Sequence, residues 1–116
     1  MIVANPYVAL GDGTRLDAQA GYYGGELHIW ITGQDLIQAF QTFTNPEKVA
    51  EISFFHGTVK DVYRGFNQLI SIRMTDTTDV VLTGSNTEIE TLPIEEEETE
   101  PVEEEGGNDD QLTGPD

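Results

Sequence analysis

Two histidines, His28 and His56, are the side chains that titrate near neutral pH without perturbation, so they are the first candidates for proton transfer or metal binding. His28 lies two residues before Trp30 in an alternating segment, and His56 precedes Gly57 at a predicted turn. Neither belongs to an HExxH motif or to a comparable metal-ligand spacing. We therefore interpret both histidines as structural or solvated residues and predict no metal site.

Other motifs of catalytic or cofactor sites are absent from the sequence. The glycine-rich segments 11–13 and 24–25 fit neither GxGxxG nor GxxxxGK[ST] and open no helix, so both predict tight turns. Segment 76–79 lacks the spacing of a calcium loop and predicts a hairpin turn. No serine stands in a GxSxG context. The sequence thus predicts no catalytic residue, no cofactor, no small-molecule substrate and no enzyme.

Aromatic residues are the remaining feature with the potential to bind. Tyr and Trp are the side chains that dominate binding hot spots, and the ten aromatics of this chain cannot all point into one small core. A possible interaction surface is therefore predicted from Tyr22, Tyr23, Trp30 and Phe55. In the alternative arrangement, the helix covers one face of the sheet and a closed barrel buries the other.

Composition excludes several classes of protein. The chain has 116 residues, 22 acids against five bases, a formal net charge of −17 and no cysteine. Disulfide scaffolds, thiolate nucleophiles and cysteine zinc sites are thereby excluded, and direct nucleic-acid binding is disfavoured because it relies on Lys and Arg. No apolar run approaches the roughly 20 residues of a membrane span. The N-terminus lacks a signal-peptide pattern, so we expect neither a membrane partner nor secretion.

Acidic residues are concentrated towards the C-terminus. Nine acids and all five bases precede Gly84, whereas thirteen acids and no base follow it. All ten aromatics also precede Gly84, so the later segment cannot bury enough apolar surface to offset an ordering cost of about 1–2 kcal/mol per residue. We expect a globular β-rich domain over 1–85 and a disordered acidic tail over 86–116. The tail either solubilises the chain or meets a basic partner surface.

Short strand-like segments and one helical pattern make up the predicted domain. Residues 26–31 alternate cleanly between apolar and polar side chains, which is typical of a half-buried strand. The full order is β-β-β-α-β-β-β-β, and the short connections favour antiparallel pairing, because parallel crossovers need about a dozen residues or more. We expect an α+β fold, mainly an antiparallel β-sheet or small open barrel packed on one short α-helix.

The helix is predicted over residues 34–44. Thr32 is the expected N-cap, with Asp35 three residues later. Asn45-Pro46 ends the helix, because a residue before proline avoids the helical conformation, and the same pair could cap a further short turn. Apolar residues at i, i+1, i+4 and i+7 predict one helix face against the core. These residues are Leu36, Ile37, Phe40 and Phe43.

Three stretches carry a resemblance to known proteins: LGDGTRLDAQAGYYGGELHIWI, FTNPEKVAEISFFHG and VYRGFNQLISIRM. In this order they resemble a group of small proteins of tailed bacteriophages and prophages of Gram-positive bacteria. Members of the group share a G-D-G-T start, an N/D-P-E-K segment and a G-F/Y-x-x-L motif. The resemblance implies a phage origin and a structural role in the virion tail region, and it transfers no catalytic residue.

Two functions of different classes follow as expectations. The first is a non-enzymatic phage structural or assembly protein that contacts other protein subunits, including copies of itself, in the host bacterial cytoplasm or the virion. The alternative is an acidic phage-encoded inhibitor that imitates nucleic acid towards a host defence or nucleic-acid-binding protein. Deletion of residues 86–116 distinguishes the two, since only mimicry needs the tail.

Overall fold

A computed structural model describes residues 2–94 of the chain, and within them it contains eight strands and two short helices. The first three strands are β1 (Val3–Ala9), β2 (Arg15–Tyr23) and β3 (Glu26–Ile31). The helices α1 (Leu36–Phe43) and α2 (Pro46–Val49) follow. The remaining strands are β4 (Glu51–Gly57), β5 (Val59–Arg64), β6 (Gln68–Met74), β7 (Thr78–Thr83) and β8 (Glu88–Pro93).

All the paired strands run antiparallel, as the short connections predict. The hydrogen-bonded order is β6-β7-β3-β2-β1-β4-β5-β8. The prediction of a mainly antiparallel sheet is therefore confirmed. Over residues 2–94 the sheet is open, with β6 and β8 as its end strands.

Strand β2 joins the two halves of the sheet. Its first part pairs with β1, where Leu16 lies opposite Val8, and its second part pairs with β3, where Ala18 lies opposite Ile31. Side chains from both halves and from the helices meet in one buried core. The alternation predicted for residues 26–31 is confirmed, because Leu27, Ile29 and Ile31 all lie in that core. We call the opposite side of the sheet its outer face.

Helix α1 begins later than predicted and has a different N-cap. Thr32 still belongs to the end of the sheet, since its amide donates to the Asp17 carbonyl. Asp35 caps the helix instead: its carboxylate accepts the Gln38 amide at 2.8 Å, and the Gln38 side chain accepts the Asp35 amide at 3.0 Å. This reciprocal pair is a capping box, which satisfies two backbone donors at once.

A second helix corrects the prediction of one helix. Asn45 caps α2 by accepting the Glu47 amide at 2.9 Å, and Pro46 occupies the first helical turn, where its missing amide costs nothing. Only Val49 of α2 is buried. The further short turn expected at Asn45-Pro46 is therefore present, and it forms a single turn of helix that leads into β4.

A bulge in β6 changes which of its residues face the core. The pairing with β7 shifts between Leu69 and Ser71, so that Leu69 lies opposite Leu82 and Ile72 lies opposite Val80. Residues directly opposite each other share a face, and Leu69 and Ile72 indeed pack on the core. The extra residue, Ile70, remains exposed.

Strand β8 corrects the boundary between domain and tail. Residues 88–93 were expected in a disordered tail beginning at 86, but they pair with β5 along its whole length. Ile89 lies opposite Tyr63, and the adjacent Ile94 is buried. Glu90 is accommodated because Arg64 lies 3.2 Å from its carboxylate. The rest of the predicted tail, 95–116, lies outside the described residues.

Candidate interaction surfaces

The predicted interaction residues Tyr22, Tyr23, Trp30 and Phe55 do not form one surface. Tyr22 lies opposite the buried Leu27 on the core side, where its ring meets Phe66 edge-to-face at 5.8 Å. The other three lie on the outer face but in different halves of the sheet. On the outer face, Tyr23 and Trp30 therefore belong to one group of aromatic side chains and Phe55 belongs to another.

The first group joins Tyr23, His28 and Trp30 in the β3 half. The His28 and Trp30 rings stack at 6.0 Å, and Tyr23 meets them edge-on at 5.6 and 6.3 Å. Nε2 of His28 lies 3.5 Å from Glu26 Oε1. A groove of about 390 Å³ runs beside His28 and Trp30, with Arg73 and Asp79 in its wall. His28 is thus part of this group of aromatic side chains.

The second group is a row of four side chains in the β1 half, which we call the aromatic–cation row: Arg15, Tyr7, Phe55 and Lys60. Tyr7 and Phe55 stack with their ring centres 4.7 Å apart and their planes inclined by 11°. The Arg15 guanidinium carbon lies 3.9 Å from the centre of the Tyr7 ring, and the Lys60 ammonium lies 5.6 Å from the centre of the Phe55 ring. A cation over an aromatic face is attracted by the ring quadrupole, so the row holds two positive charges at its ends.

His56 lies in a polar cluster that joins three strands. Its Nε2 is 2.8 Å from Asp61 Oδ2, and the Thr91 hydroxyl donates to Asp61 Oδ1 at 2.7 Å. The Phe54 ring stacks on the imidazole at 4.5 Å. These contacts connect β4, β5 and β8. Within residues 2–94, no three His, Asp or Glu side chains form a group suited to a metal ion.

Two other basic residues are neutralised by neighbouring acids. Lys48 lies 2.6 Å from Asp12. Arg64 contacts Glu51 at 2.9 Å and Glu90 at 3.2 Å, and these bonds raise the pKa of its guanidinium above the usual value. Arg15 and Lys60 have no such partner among residues 2–94, so their charges are balanced only by aromatic faces.

An apolar patch is formed where α1 packs beside β6. The apolar face predicted to lie on the core is largely exposed: Leu36 is 45%, Ile37 69% and Phe40 55% accessible, and only Ala39 and Phe43 are buried. On the neighbouring end strand, Ile70 and Met74 are also exposed. We call these five exposed residues the α1–β6 patch. Helix α1 therefore contacts the core through Ala39 and Phe43, and the rest of its apolar surface faces outward.

The two end strands of the sheet differ in their protection. Strand β8 carries Glu88 and Glu90, and charged side chains deter pairing with another chain. Strand β6 carries one charged residue, Arg73, and two exposed apolar ones. An end strand offers unpaired backbone groups to a further strand. The β6 edge is thus the less protected of the two.

Sequence reasoning missed Tyr7, Arg15 and Lys60 as surface residues. Tyr7 precedes the buried Val8, so alternation alone could have placed it on the outer face. The contacts of Arg15 and Lys60 depend on strand pairing, which one segment of sequence does not reveal.

Comparison with protein-family models, with curated proteins and with solved structures found no match to this chain. Neither helix within the described part of the chain is long and apolar enough to cross a membrane.

Proposed function

We propose that this protein is a non-enzymatic structural or assembly protein that acts through protein–protein contacts, and that a second copy of the chain docks on the α1–β6 patch. The observation that carries the proposal is an exposed apolar helix face beside an unprotected end strand. Monomeric proteins rarely expose a contiguous apolar patch of more than a few hundred Å² unless it binds something.

Charge favours a second copy as the occupant. The chain has a net charge of −17, so two copies repel each other over most approaches. Helix α1 contains no charged residue, and β6 contains only Arg73. Two copies can therefore meet through α1 and β6 with no acidic side chain on either element. A two-fold axis would also bring the two β6 edges together in antiparallel fashion, which satisfies the backbone groups of both.

The resemblance to phage proteins supports a place in the virion tail region for this contact. Components of such assemblies act by binding neighbouring subunits, and an oligomer formed through an uncharged patch suits that role. The proposal for the patch itself stands on the described residues and does not depend on the phage origin.

Light scattering coupled to size exclusion tests the proposal on the full chain. We expect a mass of two chains or more for the wild type, and the mass of one chain for Ile37→Lys, whose side chain is 69% exposed and so lies outside the core. Gln19→Lys adds the same charge at an exposed site on the outer face of β2 and should leave the oligomer intact. A monomeric wild type at all concentrations, or an oligomer that survives Ile37→Lys, would overturn the proposal.

A further inference from the structure

The aromatic–cation row has the chemistry of a peptide-binding surface. It crosses four neighbouring strands, from Arg15 on β2 through Tyr7 on β1 and Phe55 on β4 to Lys60 on β5. The two rings form a flat apolar centre, and a positive charge stands at each end. Its complement is a segment with apolar residues at the centre and acids on both sides.

Positive charge is scarce in this protein, which makes the row unusual. Of the five bases, Lys48 and Arg64 are ion-paired. Asp17 lies opposite Tyr7 on the outer face, two residues from Arg15, and forms no ion pair with it among the described residues. The row thus places two cations without an ion pair among residues 2–94 on one face of an acidic chain, and this charge favours an acidic segment as its ligand.

The chain itself supplies an acidic segment next to the row. Leu92 of β8 lies opposite Lys60, and the Ile94 amide donates to the Thr58 carbonyl at 3.0 Å. The run Glu95-Glu96-Glu97-Glu98 begins immediately afterwards. The last described residue before the acidic run, Ile94, therefore lies beside β5, the strand that carries Lys60.

The order of residues in that segment matches the row. Glutamates at 95–98 and 100 are followed by Pro101-Val102, and three more glutamates follow at 103–105. An apolar pair between acidic runs corresponds to an aromatic pair between cations. Arg15 and Lys60 lie three strand spacings apart, or about 14 Å, which about five extended residues can span. The 22 residues after Ile94 provide ample length.

We propose that segment 95–105 of the same chain binds across the aromatic–cation row, with glutamate carboxylates against Arg15 and Lys60 and with Pro101-Val102 against Tyr7 and Phe55. Because the segment is tethered to β8, its effective concentration at the row is high and a modest affinity is enough for occupancy. The interaction depends on charge and is weakened by salt, since the screening length falls to about 3 Å near 1 M. Occupancy would occlude the outer face of the β1 half.

Absence of cysteine permits a direct test on the full chain. A nitroxide spin label is attached through Thr99→Cys. The intensities of the backbone amide NMR signals are then compared between the paramagnetic label and the same label after reduction. We expect selective loss of intensity for the amides of Arg15, Tyr7, Phe55 and Lys60 at low salt, with recovery near 1 M salt. In the same spectra, a wide spread of amide chemical shifts shows that each variant is folded.

Matched charge variants decide whether the row is responsible. Arg15→Gln and Lys60→Gln should each reduce the broadening, whereas Arg73→Gln, which removes one positive charge from the other half of the sheet, should leave it unchanged. A mixed sample detects binding between molecules. It contains one chain with the nitroxide and a second, isotope-labelled chain without it, so any broadening arises between two chains. The proposal is overturned if broadening is uniform, is insensitive to Arg15→Gln and Lys60→Gln, or arises only in the mixed sample.

Discussion

Lys48 connects helix α2 to the turn between β1 and β2. Its ammonium lies 2.6 Å from Asp12 Oδ2 and 3.0 Å from Thr14 Oγ1, and Asp12 also accepts the Thr14 amide at 3.0 Å. The hydrogen bonds from Lys48 and Thr14 favour the ionised carboxylate and hold the pKa of Asp12 far below its ordinary value of 3.8. The turn is thus stabilised by a charge that acid removes.

Asp12→Asn should destabilise the protein in a pH-dependent way. The folded-state pKa of Asp12 is lower than the unfolded-state value, so its ionised carboxylate contributes stability above pH 3.8 that is lost as pH falls through the folded-state pKa. We expect a lower urea midpoint for the variant near neutral pH, and a shrinking difference from wild type below pH 3.8. Asp17→Asn, at a carboxylate without an ion pair within residues 2–94, is the control. A difference that does not change with pH would contradict this account.

Tyr63 illustrates how burial acts on an ionisable group of the core. Its side chain lies opposite Ile52 and meets Phe66 edge-to-face at 5.8 Å. Burial, with a smaller contribution from the negative charge of Asp61, raises the pKa of Tyr63 to about 12. The Tyr63 phenol therefore stays neutral to a higher pH than that of an exposed tyrosine, because ionisation would leave a charge in the core.

At the scale of elements, α1 depends on its N-terminal cap because few of its side chains are buried. Only Ala39 and Phe43 lie in the core, so packing contributes less than in a helix that buries its whole apolar face. The capping box of Asp35 and Gln38 supplies the local stabilisation.

Asp35→Ala should therefore lower the free energy of unfolding by about 1 kcal/mol, the usual cost of losing an N-cap. Urea unfolding followed by circular dichroism measures the change. Gln41→Ala, at an exposed position of the same helix without a part in the cap, should have little effect. Equal destabilisation by the two substitutions would show that the cap is unimportant.

At the scale of the whole molecule, one backbone contact joins β5 to the connection between β7 and β8. Gly65 has a φ of +85°, and a Cβ at this position would overlap the Asn86 carbonyl oxygen. Left-handed backbone favours glycine, and here the close approach also requires it. The contact therefore places the end of β5, in one half of the sheet, against the connection that follows β7, in the other half.

Gly65→Ala should destabilise the protein more than Gly13→Ala. Gly13 also has a positive φ, +93°, but a Cβ there meets nothing within 4 Å. Both substitutions incur the left-handed penalty of roughly 1–2 kcal/mol, so the difference between them measures the steric contact with Asn86. Comparison of the two urea midpoints provides the test, and equal midpoints would refute the contact.

The two proposed contacts occupy different parts of the molecule. The α1–β6 patch lies at the β6 end of the sheet, and the aromatic–cation row crosses the strands of the other half. A second copy at the patch leaves the row accessible to segment 95–105. If that segment instead remained away from the row, it would be available to a basic partner, as the nucleic-acid mimic requires.

Local patterns in the sequence determined much of the fold. The alternation of residues 26–31, the turn glycines, the α1 segment and the short connections between strands all follow from periodicity and backbone preference, which act over a few residues. For the same reason the antiparallel sheet was predictable.

Tertiary structure alone decided where the surfaces lie. Periodicity reports that Leu36, Ile37 and Phe40 share a side of α1, but not whether another element covers that side. Strand β8 was missed because its acidic composition resembles a tail, whereas its pairing depends on β5, whose paired residues lie from 24 (Arg64 to Glu88) to 34 (Val59 to Pro93) positions earlier along the chain. The same holds for Arg15 and Lys60, which come together with Tyr7 and Phe55 only through strand order. Contacts between distant segments depend on the whole sheet, and no local pattern encodes them.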